Sequence, residues 1–305
     1  MNTEFVCVEV PPRIPNGLRQ SLSKIGSVVA PDPTEALYAP LHASEPYPEV
    51  RLARDLRYGL DVRHMLDMFT PVQKDGFRPI LVFVHGGAFM RGDRRVGKGV
   101  FHDNIALWAV RNGMIGVNIS YRLAPEHAWP EAQNDIRLAL EWLQLHAAEW
   151  GGDASRIVLM GHSAGAAHVA QYLAFGQFQP ESGAGVLAAA LLSGIFDPET
   201  AEDNGPLRAY FGADTSRYPY MSAVSGLVAS GIPLFIAYAE LDPEDFSRQS
   251  QQLASAFQHR GQGTVCYRLQ AHSHMSEIYS INTADDALST RLRDFIQSTV
   301  CVVSR

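Results

Sequence analysis

From about residue 49 onward, short apolar runs alternate with stretches of helical spacing. Ile80-Leu81-Val82-Phe83-Val84 is too short for a helix and rich in β-forming residues. Met114 to Ser120, Ile157 to Met160, Leu187 to Leu192, Leu234 to Ala239 and Val265 to Leu269 share that character. Continuous apolar runs of this length fit strands buried on both faces of a parallel sheet. In the gaps Ile136, Leu140, Leu143 and Ala147 recur at helical spacing, as do Leu288, Leu292 and Phe295. The alternation predicts an α/β fold, a mostly parallel central sheet with helices on both faces. Two further β-like segments, Val50 to Tyr58 and Val62 to Phe69, come before it.

Two regions break the rhythm. Residues 1–48 are punctuated by Pro11, Pro12, Pro15, Pro31, Pro33, Pro40, Pro46 and Pro48. They read as an arm or lid laid over a core and not part of one, with residues 49–305 forming the main domain. Residues 196–231 are longer than an ordinary connection and carry Tyr210, Phe211, Tyr218 and Tyr220. They read as a cap insertion over the C-terminal edge of the sheet, where open α/β sheets bind ligands, its aromatic side chains bounding a pocket.

Composition narrows the function classes. The 305 residues are 46% hydrophobic and 19% charged, enough apolar material for a large globular core. A net charge of -7 argues against nucleic acid or an anionic membrane as partner. The small basic group Arg91, Arg94, Arg95 and Lys98 reads as a solvated loop. Cys7, Cys266 and Cys301 are far apart and odd in number; each has apolar neighbours and reads as a buried, inert thiol outside any disulfide or metal framework. Met1 to Arg13 lack a secretory pattern, and no run approaches the roughly 18 apolar residues of a membrane span. The cytoplasm is the default location; a homo-oligomer is compatible with all of this.

The strongest chemical signal is Gly161-His162-Ser163-Ala164-Gly165, set between the run Ile157 to Met160 and the helix-like stretch Ala166 to Phe175. A sharp strand–turn–helix elbow lifts a serine hydroxyl above a sheet, and the helix N-terminus favours negative charge nearby. Upstream, His85-Gly86-Gly87-Ala88-Phe89 follows directly on a strand. Acyl transfer builds negative charge on a carbonyl oxygen, which fixed backbone amides must receive. The amides of Gly87, Ala88 and Ala164 are assigned to that oxyanion hole, with Gly86 as a substitute for one of them. His85, at the strand end, is expected to hydrogen-bond structurally, and His168 to pack near the elbow.

A serine nucleophile needs a base, and the base needs an orienting acid. After Leu234 to Ala239 come Glu240, Asp242, Glu244 and Asp245; Asp242 is preferred as the acid, Glu240 being left to the strand end and Asp245 to a helix N-cap. After Val265 to Leu269 come His272 and His274; His274 is preferred as the base, with His272 as the alternative.

Three motifs in this order, the second being Ser120-Tyr121-Arg122-Leu123-Ala124-Pro125-Glu126-His127, resemble the hormone-sensitive-lipase-like carboxylesterases over about residues 57–277. Asp242-Pro243-Glu244 keeps two of the three positions of that family's Asp-Pro-Leu. His274-Met275-Ser276 is closer to the His-Phe pattern of kynurenine formamidases, and Leu66-Asp67-Met68-Phe69-Thr70-Pro71 also resembles theirs, although Phe89 stands where they carry Trp. The resemblance implies an α/β-hydrolase fold and a serine carboxylesterase acting on a small ester through Ser163, His274 and Asp242, with no metal or organic cofactor. The alternative is arylformamidase chemistry in the same site. A non-catalytic receptor on this fold would typically lack one of the three.

Overall fold

The computed structural model describes residues 7–73, 76–96, 99–257 and 263–303. Its strands are β1 (Val8–Val10), β2 (Val50–Arg57), β3 (Met65–Pro71), β4 (Arg78–Val84), β5 (Ile115–Ile119), β6 (Gly152–His162), β7 (Ala188–Leu192), β8 (Leu234–Leu241) and β9 (Val265–Ser273). Its α-helices are α1 (Asn16–Ile25), α2 (Pro31–Tyr38), α3 (Asp103–Arg111), α4 (Glu131–His146), α5 (Ala164–Ala174), α6 (Gly205–Phe211), α7 (Val224–Ser230), α8 (Glu244–Ala256), α9 (Ser276–Tyr279) and α10 (Ala287–Val303). The strands form one sheet in the order β1-β9-β8-β7-β6-β4-β5-β3-β2. β3 runs against its two neighbours, and every other pairing is parallel.

The continuous apolar runs are buried on both faces because side chains alternate across a strand. Ile80, Val82 and Val84 of β4 join Ile157 and Leu159 of β6 beneath Ile136, Leu140 and Leu143 of α4. The intervening Leu81, Phe83, Val158 and Met160 pack on the other face with Ile105 and Trp108 of α3 and Leu288 and Leu292 of α10. Each Leu, Ile or Phe taken from water into such an interior contributes about 1.5–3 kcal/mol.

The N-terminal arm departs from expectation. It enters the core: β1 adds a parallel strand beside β9, and Val10, Ile14, Leu22 and Tyr38 are buried. The prolines that suggested irregular chain include Pro15, which caps α1, and Pro31, the first residue of α2. Proline is tolerated there because the first N–H groups of a helix have no partner inside it.

The cysteine reading is likewise corrected. Cys7 and Cys266 form a disulfide across 259 residues of sequence, and Cys301 is exposed. The pairing of Val8 with Tyr267 sets the two cysteines next to each other, which their separation along the chain conceals. Arg94 is ion-paired with Asp55, Asp67 and Asp93, and Arg95 with Asp55 and Asp67, whereas Arg91 is exposed and Lys98 lies outside the described residues. No helix among the described residues is long and apolar enough to cross a membrane.

Candidate active site

Ser163 sits between β6 and α5 with φ 57° and ψ −124°, a left-handed conformation that non-glycine residues adopt only when held. The surroundings hold it. The Ser163 N–H donates to the Leu192 carbonyl at 2.9 Å, and the Ser163 carbonyl accepts from Ala166 and Ala167 at 3.0 and 3.2 Å. A side chain at Gly165 would place its Cβ 2.1 Å from the Val84 carbonyl oxygen, so the elbow docks on β4 only with glycine there.

The loop after β4 approaches the same point. Gly87 has φ 136°, and a Cβ on it would meet the Arg91 carbonyl oxygen at 1.9 Å. Ala88 and Phe89 follow in the left-handed region, at φ 51° and 64°. His85 turns away from the cavity: its Nδ1–H donates to the Gly86 carbonyl at 2.7 Å, and its ring stacks on Tyr121. Burial pushes the His85 imidazole down to about 3, so it stays neutral. His168 is wrapped by Phe89, Tyr121 and Tyr210, and neither of its ring nitrogens has a hydrogen-bond partner among the described residues.

At the ends of β8 and β9 the acid and base candidates separate. Asp242 Oδ1 accepts from His274 Nδ1 at 2.8 Å, and Oδ2 accepts from the Ala239 N–H at 2.8 Å. His274 Nε2 has no hydrogen-bond partner among the described residues. The rings of Phe246 and His162 lie 4.4 and 4.6 Å from the His274 ring, and His162 Nε2–H donates to the His274 carbonyl at 2.9 Å. His272 faces elsewhere, its Nδ1 3.2 Å from Ser276 Oγ and its Nε2 3.6 Å from Asp285. Glu240 accepts from Arg268 and from the Ala271 N–H on the sheet. Asp245 stands inside the first turn of α8 and pairs with Arg248, while Pro243 takes the N-cap place.

One cavity of about 580 Å³ is lined by Ser163, His274, Gly86, Gly87, Ala88 and Ala164 together. Its apolar walls come from Phe89, Ile195, Leu207, Phe246 and Tyr279, and α2 closes one side with Pro31 and Glu35. The cap aromatics expected to line it do not. Tyr210, Phe211 and Tyr218 are buried in the core, and Tyr220 is 81% exposed. Tyr210 stacks on Phe89 with ring centroids 4.7 Å apart, so the insertion supports a wall that another loop supplies.

A serine elbow, a glycine loop beside it and an acid–histidine pair beyond the later strands make the comparison with known proteins specific. Residues 66–190 match the family described as BD-FAE. The fold is shared with a truncated carbohydrate esterase from gut microbiota, at TM-score 0.71 and 17% identity over 84% of this chain and 99% of that one. Esterase B of Lactobacillus rhamnosis superposes with TM-score 0.69 at 17% identity, over 94% of this chain and 96% of that one. The chain has the α/β-hydrolase fold. It is 27% identical to esterase LipQ of Mycobacterium tuberculosis over 263 residues, and 42% identical to carboxylesterase NlhH of the same species over 98 residues. Those alignments cover 79% and 32% of this chain, and it spans 61% of the length of LipQ and 29% of NlhH. Its sequence is thus similar, in part, to proteins named as esterases.

Two polar residues at this site had no place in the reading of the sequence. Ser193 Oγ lies 2.7 Å from Asp242 Oδ2 and 2.6 Å from Glu277 Oε2, and all three residues are buried. Ser193 directly follows the apolar run Leu187 to Leu192, and the C-terminal end of a core strand is where such folds place site residues. That was the available signal.

Proposed function

We propose that this α/β-hydrolase is a serine carboxylesterase for short-chain or compact aromatic esters. The reading is supported by the shared cavity, which Ser163, His274, Gly87, Ala88 and Ala164 line while Asp242 holds the far nitrogen of His274. His274 Nε2 takes the Ser163 proton as the hydroxyl attacks the ester carbonyl. The three amides receive the oxyanion. His274 then protonates the departing alcohol, and water activated by the same imidazole releases the acid from the acyl-enzyme. Asp242 fixes the tautomer and stabilises the imidazolium.

The N-terminal arm and residues 196–231 act as the cap. Pro31 and Glu35 from one, with Leu207 from the other, bound the cavity and limit acyl length. Each methylene buried there contributes about 0.8 kcal/mol, and a methylene beyond the wall contributes none. For p-nitrophenyl esters of rising acyl length, kcat/KM is expected to climb over the first few carbons and then fall. A rise that continues into long chains would replace the closed cavity by an open groove. Ser163→Ala is expected to cost on the order of 10⁶-fold in kcat with the fold intact by circular dichroism. N-formylkynurenine belongs in the same panel: a higher kcat/KM for it than for any ester moves the substrate to an aryl N-formyl bond and leaves the residues' roles in place.

A further inference from the structure

Behind Asp242 lies a carboxyl group that this reaction leaves unused. Glu277 is fully buried on α9, and Ser193 bridges its Oε2 to Asp242 Oδ2 at 2.6 and 2.7 Å. A serine hydroxyl has one proton to donate. It satisfies one of the two oxygens as donor. The other short contact is a hydrogen bond only when a carboxyl proton points at the serine oxygen. One of the two acids is therefore neutral, and their partners tell which. Asp242 accepts from His274 Nδ1, from the Ala239 N–H and from Ser193. Glu277 Oε1 has no partner among the described residues, and His162 Nε2, 4.0 Å from Oε2, already donates to the His274 carbonyl.

Among the described residues, β6 brings His162 to 4.0 Å from Glu277, and the turn after β8 brings Asp242, whose charge acts on it. Burial first, and the Asp242 charge second, push the Glu277 carboxyl well above the usual carboxylate range. Burial also pushes the His162 imidazole far down, so it offers no positive charge in return.

We infer that Glu277 is a positioning residue: a neutral carboxylic acid whose O–H donates to Ser193 and turns the serine O–H onto Asp242. This rests on the reading of Ser163, His274 and Asp242 as the reacting set. The chain of donors ties down Asp242 Oδ2 and leaves Oδ1 to His274. It does so without placing a second negative charge beside the imidazole.

Paired variants test it. Glu277→Met, which cannot donate, is expected to lower kcat about fivefold, the value of one neutral hydrogen bond, with KM unchanged. Glu277→Gln, whose amide N–H donates to Ser193, is expected to restore kcat and to keep the acid limb of the kcat/KM profile where the wild type has it. An ionised Glu277 would stabilise the imidazolium, so E277Q would then move that limb to lower pH, and this result would overturn the assignment. Stability supplies a readout free of activity. An acid raised in the folded state contributes stability below its unfolded value, near 4.3, that is lost as pH rises toward its folded value. The melting temperature of E277Q should therefore gain on the wild type steadily from pH 5 to pH 8, and parallel curves would refute the neutral acid. Infrared spectra at pH 7 should show the carbonyl stretch of a protonated carboxyl in the wild type and lose it in E277Q. A wild type inactive on every ester would defeat the functional reading, while the melting and infrared results would still decide the state of Glu277.

Discussion

His272 and His274 stand two residues apart at the end of β9, and each has a buried aspartate beside it. His274 meets Asp242 at 2.8 Å and His272 meets Asp285 at 3.6 Å, with both rings fully buried. The two differ in what lies on the other side. His274 borders the cavity that Ser163 enters, and its Nε2 has no hydrogen-bond partner among the described residues. His272 faces Ser276 and, through Asp285, the Tyr38 hydroxyl of the N-terminal arm, outside the cavity lining. An acid–histidine pair is thus a common structural unit, and access to a reacting atom is what turns one into a general base. His272 Nε2 also has no hydrogen-bond partner among the described residues, so the 2.8 Å bond to Asp242 and the place on the cavity wall are what set His274 apart.

The widest separation is expected from the histidines themselves. His274→Ala should cost on the order of 10⁶-fold in kcat, as loss of the base does in a triad enzyme. His272→Ala should stay within about tenfold of wild type and instead destabilise by about 1–3 kcal/mol, because Ser276 loses a buried hydrogen-bond partner. Steady-state rates on one p-nitrophenyl ester and a denaturant midpoint measure both. If the His272 variant is the dead one, access does not distinguish the pairs.

The acids come next. Asp242→Asn keeps the shape but cannot stabilise an imidazolium, and kcat is expected to fall about 10⁴-fold. Asp285→Asn should leave kcat near wild type, since no reacting atom lies beside its histidine. A similar loss in both would mean that the two pairs act as one network.

Ser193, which donates to Asp242, is expected to give a smaller loss than His274 or Asp242 itself. Removing one hydrogen bond to a carboxylate costs about 1.5–3 kcal/mol, so Ser193→Ala should lower kcat roughly 10- to 100-fold with little change in KM. No loss would leave the Ala239 N–H as sufficient support.

Much of the fold could be read from the chain because its signals are local. Strands β4 to β9 announce themselves as apolar runs, and the elbow at Ser163 is a single pentapeptide between a strand and a helix. The contacts that escaped depend on sheet order. Cys7 meets Cys266 because β1 pairs with β9 at the far edge, and no local pattern states that pairing. Ser193, Asp242 and Glu277 converge because β7, β8 and β9 are neighbours whose ends come together. Tyr210 and Phe211 looked like cavity lining because aromatic residues in an insertion are expected to face a ligand; Tyr210 instead stacks on Phe89 and Phe211 meets it edge-on. The prolines of the arm were ambiguous, since the same residue that breaks a helix also starts one.

The pairing of β1 with β9 also sets a timetable. The first strand made has as its only sheet neighbour the last one made, and the crosslink between them spans 259 residues. At about 5–20 residues per second, a ribosome needs on the order of 13–50 s to cover that distance. Throughout it, Val8 to Val10 have no edge to join, while β4, β5 and β6 can already assemble. The β1–β9 edge thus forms only after β4 to β8 have been made. The crosslink between Cys7 and Cys266 therefore cannot form until the strands on either side of the Ser163 elbow have been made.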